Sequence, residues 1–186
     1  DRPNRSLLLM TFTGEEMGLL GSQYLVDHPT VDRDKIVAML NFDMVGRLNN
    51  NHLDAYGARA AGFEDLLKRL AKPYDLEIKG TEDAGYGSDH ASFQSRNIPS
   101  VFFFTGIHRQ YHQPTDDVEL IDADGAMRIG KLAADCIDEI DVMEKLPKPG
   151  AKPEHPDIVA QIEPAANPKE QPSREQRPER RVLLGV

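Results

Sequence analysis

The chain's most restrictive feature is a set of short, unbroken apolar runs, each closed by polar residues and separated by stretches with helical spacing. Residues 101–104, Val-Phe-Phe-Phe, form the clearest run. A short run with no polar alternation predicts a strand covered on both faces. Residues 6–12 (Ser-Leu-Leu-Leu-Met-Thr-Phe) and 36–45 (Ile-Val-Ala-Met-Leu-Asn-Phe-Asp-Met-Val) read the same way, and residues 53–56 and 76–78 are shorter strand candidates. Between them, residues 19–26 carry a helical pattern that stops near His28-Pro29. Residues 63–70 set Phe63, Leu66, Leu67 and Leu70 on one stripe. Residues 123–143 form a long helix with Ile129, Leu132, Ala133, Cys136, Ile137 and Ile140 facing inward and Asp122 as its N-cap. Residues 80–87 are polar and glycine-bearing, hence a loop. Strands alternating with helices predict an α/β fold.

Composition sets this pattern apart from the C-terminal stretch of the chain. Of the 13 prolines, 8 fall between Pro147 and Pro178, among Lys, Glu, Gln and Arg. Such a stretch cannot bury enough apolar surface to offset its ordering entropy, so residues 146–179 read as an extended linker after a domain at 1–145. A net charge of −9 speaks against a nucleic-acid partner, which needs a basic surface. The single cysteine, Cys136, excludes an internal disulfide and reads as a small buried side chain. No apolar run is long enough to span a bilayer. No signal-peptide pattern opens the chain; it starts at Asp1 rather than Met, which points to a natural N-terminus further upstream.

Candidate chemistry lies just after the predicted strands, where open α/β sheets bind ligands. Glu15-Glu16 follows the first strand. Adjacent carboxylates repel, and a divalent cation would relieve that for one and leave the other as a base; an exposed acidic helix start is the competing account. Asp43 ends an apolar strand and needs a partner, either a metal or nearby Arg47. His112 lies between Tyr111 and the pair Asp116-Asp117, a setting suited to a zinc ligand oriented by carboxylates; a lone exposed loop histidine is the competing account. Local helix capping could account for Ser88-Asp89-His90. His28, His52 and His155 read as exposed, and His108 stays open. Glu, Asp and His donors together suit zinc better than calcium or magnesium.

Four segments in order carry a family resemblance over residues 6–145. Thr13-Gly14-Glu15-Glu16-Met17-Gly18-Leu19-Leu20-Gly21-Ser22 resembles the Gly-Glu-Glu-x-Gly-Leu-x-Gly-Ser signature of the two-zinc aminopeptidases, whose relatives include glutamate carboxypeptidase-type enzymes and glutaminyl cyclases. Asn41-Phe42-Asp43-Met44-Val45-Gly46, Gly87-Ser88-Asp89-His90-x-x-Phe93 and Tyr111-His112-x-x-x-Asp116-Asp117 resemble three later segments of that family. The resemblance implies a three-layer α/β/α sandwich around a mixed, mostly parallel sheet. It implies Glu15 as general base and Tyr111 as donor to the oxyanion. Glu16 and His112 would hold one zinc and Asp43 a second, with a peptide as substrate and an extracytoplasmic location. It assigns no role to Asp89 or His90.

The family also uses a histidine and a metal-bridging aspartate ahead of its Gly-Glu-Glu segment. Only fourteen residues precede Glu15, none a histidine, so the expectation is an N-terminally incomplete domain, inactive by itself. At the other end, residues 180–186 (Arg-Arg-Val-Leu-Leu-Gly-Val) resemble the opening of a PDZ-like module that some larger relatives carry, which would bind peptides by strand addition. Three alternatives stay open: a carboxypeptidase, a cyclase-like acyltransferase on the same fold, or a catalytically inactive binding or structural module.

Overall fold

A computed structural model describes residues 3–82 and 87–147. The expected module start at 180–186, nearly all of the expected linker, His155 and residues 83–86 of the expected loop lie outside the described residues.

Among the described residues are four strands and four α-helices, alternating except where the first two strands follow one another. They are α1 (Leu20–Asp27), β1 (Met39–Phe42), β2 (His52–Tyr56), α2 (Glu64–Ala71), β3 (Glu77–Gly80), α3 (His90–Gln94), β4 (Ser100–Phe104) and α4 (Ala123–Val142). The sheet order is β1-β4-β2-β3. β1 pairs with β4 and β2 with β3 in parallel, while β2 and β4 run antiparallel, so the sheet is mixed and mostly parallel.

The period of two along β4 sets the layers. Val101 and Phe103 join Leu66 and Leu67 of α2 and Ile129, Leu132, Cys136 and Ile140 of α4 in the main core. Phe102 points to the other face and stacks on His90 of α3, with ring centroids 4.7 Å apart. On that side Val26 of α1, Phe93 of α3 and Ile98 form a smaller cluster. Helices therefore cover both faces, and every residue of β4 is buried. Asp122 caps α4 as expected, accepting the Gly125 N–H at 2.9 Å. Cys136 is buried, and desolvation pushes its thiol up to about 12.

One expected strand is absent. Residues 6–12 form no ladder with either sheet edge, and Leu9 is 84% exposed. Apolar content favours a covered strand, but a strand exists only where a neighbour takes its N–H and C=O groups, and none of the described strands does. What holds the start of this segment is polar. The Asp141 carboxylate accepts the backbone N–H groups of Asn4 (2.9 Å) and Arg5 (2.6 Å). The Arg5 guanidinium in turn donates to the Ile140 and Met143 carbonyls, both at 2.7 Å, at the end of α4, where the Ile140 oxygen also takes the Met143 N–H at 3.4 Å.

Those two backbone donors hold the Asp141 carboxyl below its ordinary value. Its contribution is therefore present above the unfolded carboxylate range and is lost as pH falls through the depressed folded value. The Arg5 amide is expected to lose hydrogen-exchange protection in strong acid, and Asp141→Asn to lose it already at neutral pH.

Candidate metal and catalytic site

The parallel register of β1 and β4 sets Phe42 opposite Phe103, so both strands leave the sheet side by side at their carboxyl ends. Asp43 follows one, and the loop bearing Tyr111 and His112 follows the other. Thr105 fastens the two exits, its N–H donating to the Met44 carbonyl at 3.3 Å and its hydroxyl to the same oxygen.

Glu15 and Glu16 enter from the other side of the site on a single 3-10 turn, Glu15–Met17. Gly14 starts that turn at φ 67°, in the left-handed region that favours glycine. Gly21, in the first turn of α1, lies directly under it. Its N–H donates to the Thr13 carbonyl at 2.9 Å, and a Cβ there would meet the Thr13 backbone at 2.8 Å. The Gly-Leu-Leu-Gly part of the motif is thus a packing device that aims two carboxylates.

All five predicted site residues line one cleft of about 640 Å³. His112 Nε2 lies 2.7 Å from Glu16 Oε1, and the Tyr111 ring stacks on the His112 imidazole at 3.8 Å. His112 itself is left-handed, φ 55°, a costly conformation for a residue with a Cβ. Asp43 does not pair with Arg47. Arg47 bonds to Asp116, and Asp43 Oδ2 instead accepts the Ser88 hydroxyl at 2.8 Å. Ser88 in turn accepts from Asn41 Nδ2 at 2.8 Å, so its proton is directed at Asp43.

Burial, followed by the charges of Asp43, Glu16 and Asp89, pushes the Glu15 carboxyl above its ordinary value; His112 opposes them. Burial and the same acidic surroundings raise the Tyr111 phenol, which keeps it protonated and able to donate.

Capping does not account for Ser88-Asp89-His90. The Asp89 side chain makes no cap bond. It is buried near Asp43, and desolvation raises its carboxyl. His90 is fully buried against Phe102. His108 lines the cleft with its Nε2 3.7 Å from Asp116 Oδ2. Ser88 is the site residue that sequence reasoning left without a role. The available signal is Asn41, a buried polar residue within β1 and two before Asp43, where a polar network is needed.

The donors have zinc chemistry, imidazole and carboxylate, and divide as two and one: Glu16 with His112, and Asp43 apart. Among the described residues no group of three His, Cys, Asp or Glu side chains is arranged to hold a metal, whereas catalytic zinc takes three protein ligands.

A three-layer sandwich with acidic and histidine donors beyond its strand ends defines a zinc-exopeptidase type of domain. The chain belongs to peptidase family M28, whose profile matches residues 1–137. Leupeptin-inactivating enzyme 1 of Streptomyces exfoliatus is 32% identical over 108 residues, covering 56% of this chain and 24% of that protein. A zinc aminopeptidase from Bacillus subtilis superposes with a TM-score of 0.62 at 25% identity, over 74% of this chain and 36% of its own. Glutaminyl cyclase of Porphyromonas gingivalis, at 20% identity and a TM-score of 0.55 over 70% of this chain and 51% of its own, shares the fold. The chain spans about a quarter to a third of the length of the curated relatives it matches.

Gly21→Ala is expected to lift the Thr13–Glu16 turn and to cost about 1–3 kcal/mol, read as a lower urea midpoint. Glu15→Gln has the opposite sign. A raised carboxyl contributes stability below the unfolded value and loses it as pH rises through the folded one. In metal-free protein the variant should melt above wild type at neutral pH and lose that advantage in acid below the carboxylate range.

Proposed function

We propose that these residues are part of a zinc-dependent aminopeptidase that removes N-terminal residues from peptides. The observation that carries the reading is the pair Glu16–His112 at 2.7 Å, set beside a Glu15 whose carboxyl is held high and facing Asp43 in the same cleft. Glu15 removes the proton of the attacking water and returns it to the leaving amine, a task for a carboxylate whose pKa is moved toward the working pH. The Tyr111 phenol donates to the carbonyl oxygen as negative charge develops there. Ser88 fixes the orientation of Asp43. Met44, Phe102 and Ile107 give the cleft an apolar wall that suits an apolar N-terminal side chain. Glu16 and His112 would hold one zinc and Asp43 a second; a bound metal would polarise the peptide carbonyl and acidify water.

A dinuclear site on this plan also needs a histidine and a bridging aspartate, which no motif in these residues provides. Hydrolysis is therefore proposed for the product of the complete gene, working outside the cytoplasm. That product should release leucine from leucine p-nitroanilide, stop after chelation and recover with zinc. Glu15→Gln should lower kcat by about 10²–10⁴-fold with zinc content unchanged. Activity that survives chelation, or a fully active Glu15→Gln variant, would refute the reading.

A further inference from the structure

The two loops that bring Asp43 and His112 together are tied by two residues that line the same cleft but are not among its candidate metal ligands. Arg47 lies four residues after Asp43, and Asp116 lies four after His112. The guanidinium of the first bonds to the carboxylate of the second. The Arg47 side chain is only 17% exposed, so its charge is largely removed from water and needs that partner.

The β1 loop is a fixed anchor. Thr105 holds the Met44 carbonyl, and the Asp122 N–H donates to the Gly46 carbonyl at 2.9 Å, joining the loop to the start of α4. The loop bearing His112 is held differently. Its own turns close on themselves, through Tyr111 N–H to His108 O at 3.0 Å, Gln113 N–H to Gln110 O at 2.8 Å and Asp116 N–H to Gln113 O at 3.1 Å. Beyond Thr105 at its root, two side-chain bonds among the described residues link it to other segments: His112 to Glu16, and Asp116 to Arg47. The first joins two candidate ligands, which a bound cation would separate. Only the second is independent of metal.

We propose that Arg47 and Asp116 are positioning residues, a brace that fixes the His112 loop against the Asp43 loop and so sets the spacing of the two halves of the metal site. The role in metal binding rests on the zinc reading above; the mechanical role does not. Without Arg47, Asp116 still has His108 in its own loop, its Nε2 3.7 Å from Oδ2. That contact cannot replace the brace, because both partners would move together. The left-handed His112 gives the unbraced loop a strained residue to relax.

The test uses the 186-residue chain without metal. Arg47→Met is expected to speed hydrogen exchange of the Tyr111, Gln113 and Asp116 amides about fivefold, the range of a part-exposed ion pair, and to leave β4 amides unchanged. Arg47→Lys should recover part of the protection, and the exchanged pair Arg47→Asp with Asp116→Arg most of it. A second readout is zinc affinity by competition with a chromophoric chelator, expected to fall about fivefold in Arg47→Met and to return in the exchanged pair. Unchanged loop exchange in Arg47→Met would overturn the brace, as would an equal rise in β4. Normal zinc affinity with a loosened loop would overturn its role in setting the metal site. Failure of the wild-type chain to bind zinc would overturn the metal-setting role in this chain without touching the reading of the longer product, while the exchange result still decides the brace.

Discussion

The parallel pairing of β1 with β4 is the constraint on which the rest of the site depends. Because Phe42 lies opposite Phe103, the two chains leave the sheet at the same end and level. An acidic residue after one strand and a histidine loop after the other then share one cleft. An antiparallel pair at that position would send the two exits to opposite ends of the sheet. The burial of β4 between two helical layers makes this register hard to shift, since a slip by one residue would swap Phe103 out of the main core and Phe102 into it.

That geometry concentrates negative charge. Glu15, Asp43 and Asp89 sit near one another, and Glu15 and Asp89 are both held above their ordinary values, chiefly by burial. A protein selected for stability alone has no use for such a cluster. Its cost is offset by the packing of a separate core around α2, α4 and the strands, whose buried members include no ionisable group apart from the Cys136 thiol. Two left-handed residues, Met44 and His112, lie on the two loops that meet at the cleft, so the site carries backbone strain as well.

Most elements are legible in the sequence. The runs at 36–45, 53–56, 76–78 and 101–104 each contain or overlap an observed strand, and the stripes at 63–70 and 123–143 match α2 and α4 within a residue or two. Periodicity reports which face of a segment is apolar, and here the apolar faces do meet. It fails at residues 6–12, where an apolar run pairs with no strand among the described residues, because pairing is a property of two segments and not of one. Sequence proximity also misleads at Arg47: Asp43 is the nearby carboxylate, but the partner is Asp116, 69 residues away.

By itself the sequence determined the residue types of the site and their order: two carboxylates after an apolar run, an aspartate closing another, a histidine following a tyrosine. Those are local facts, set by short motifs with glycines where the backbone must turn. The tertiary structure decided which of them touch. Ser88 orients Asp43, His112 faces Glu16, and Arg47 braces the loop between them. These contacts join segments 45 to 96 residues apart, and only the packing of two helical layers on a common sheet brings such segments within hydrogen-bond reach.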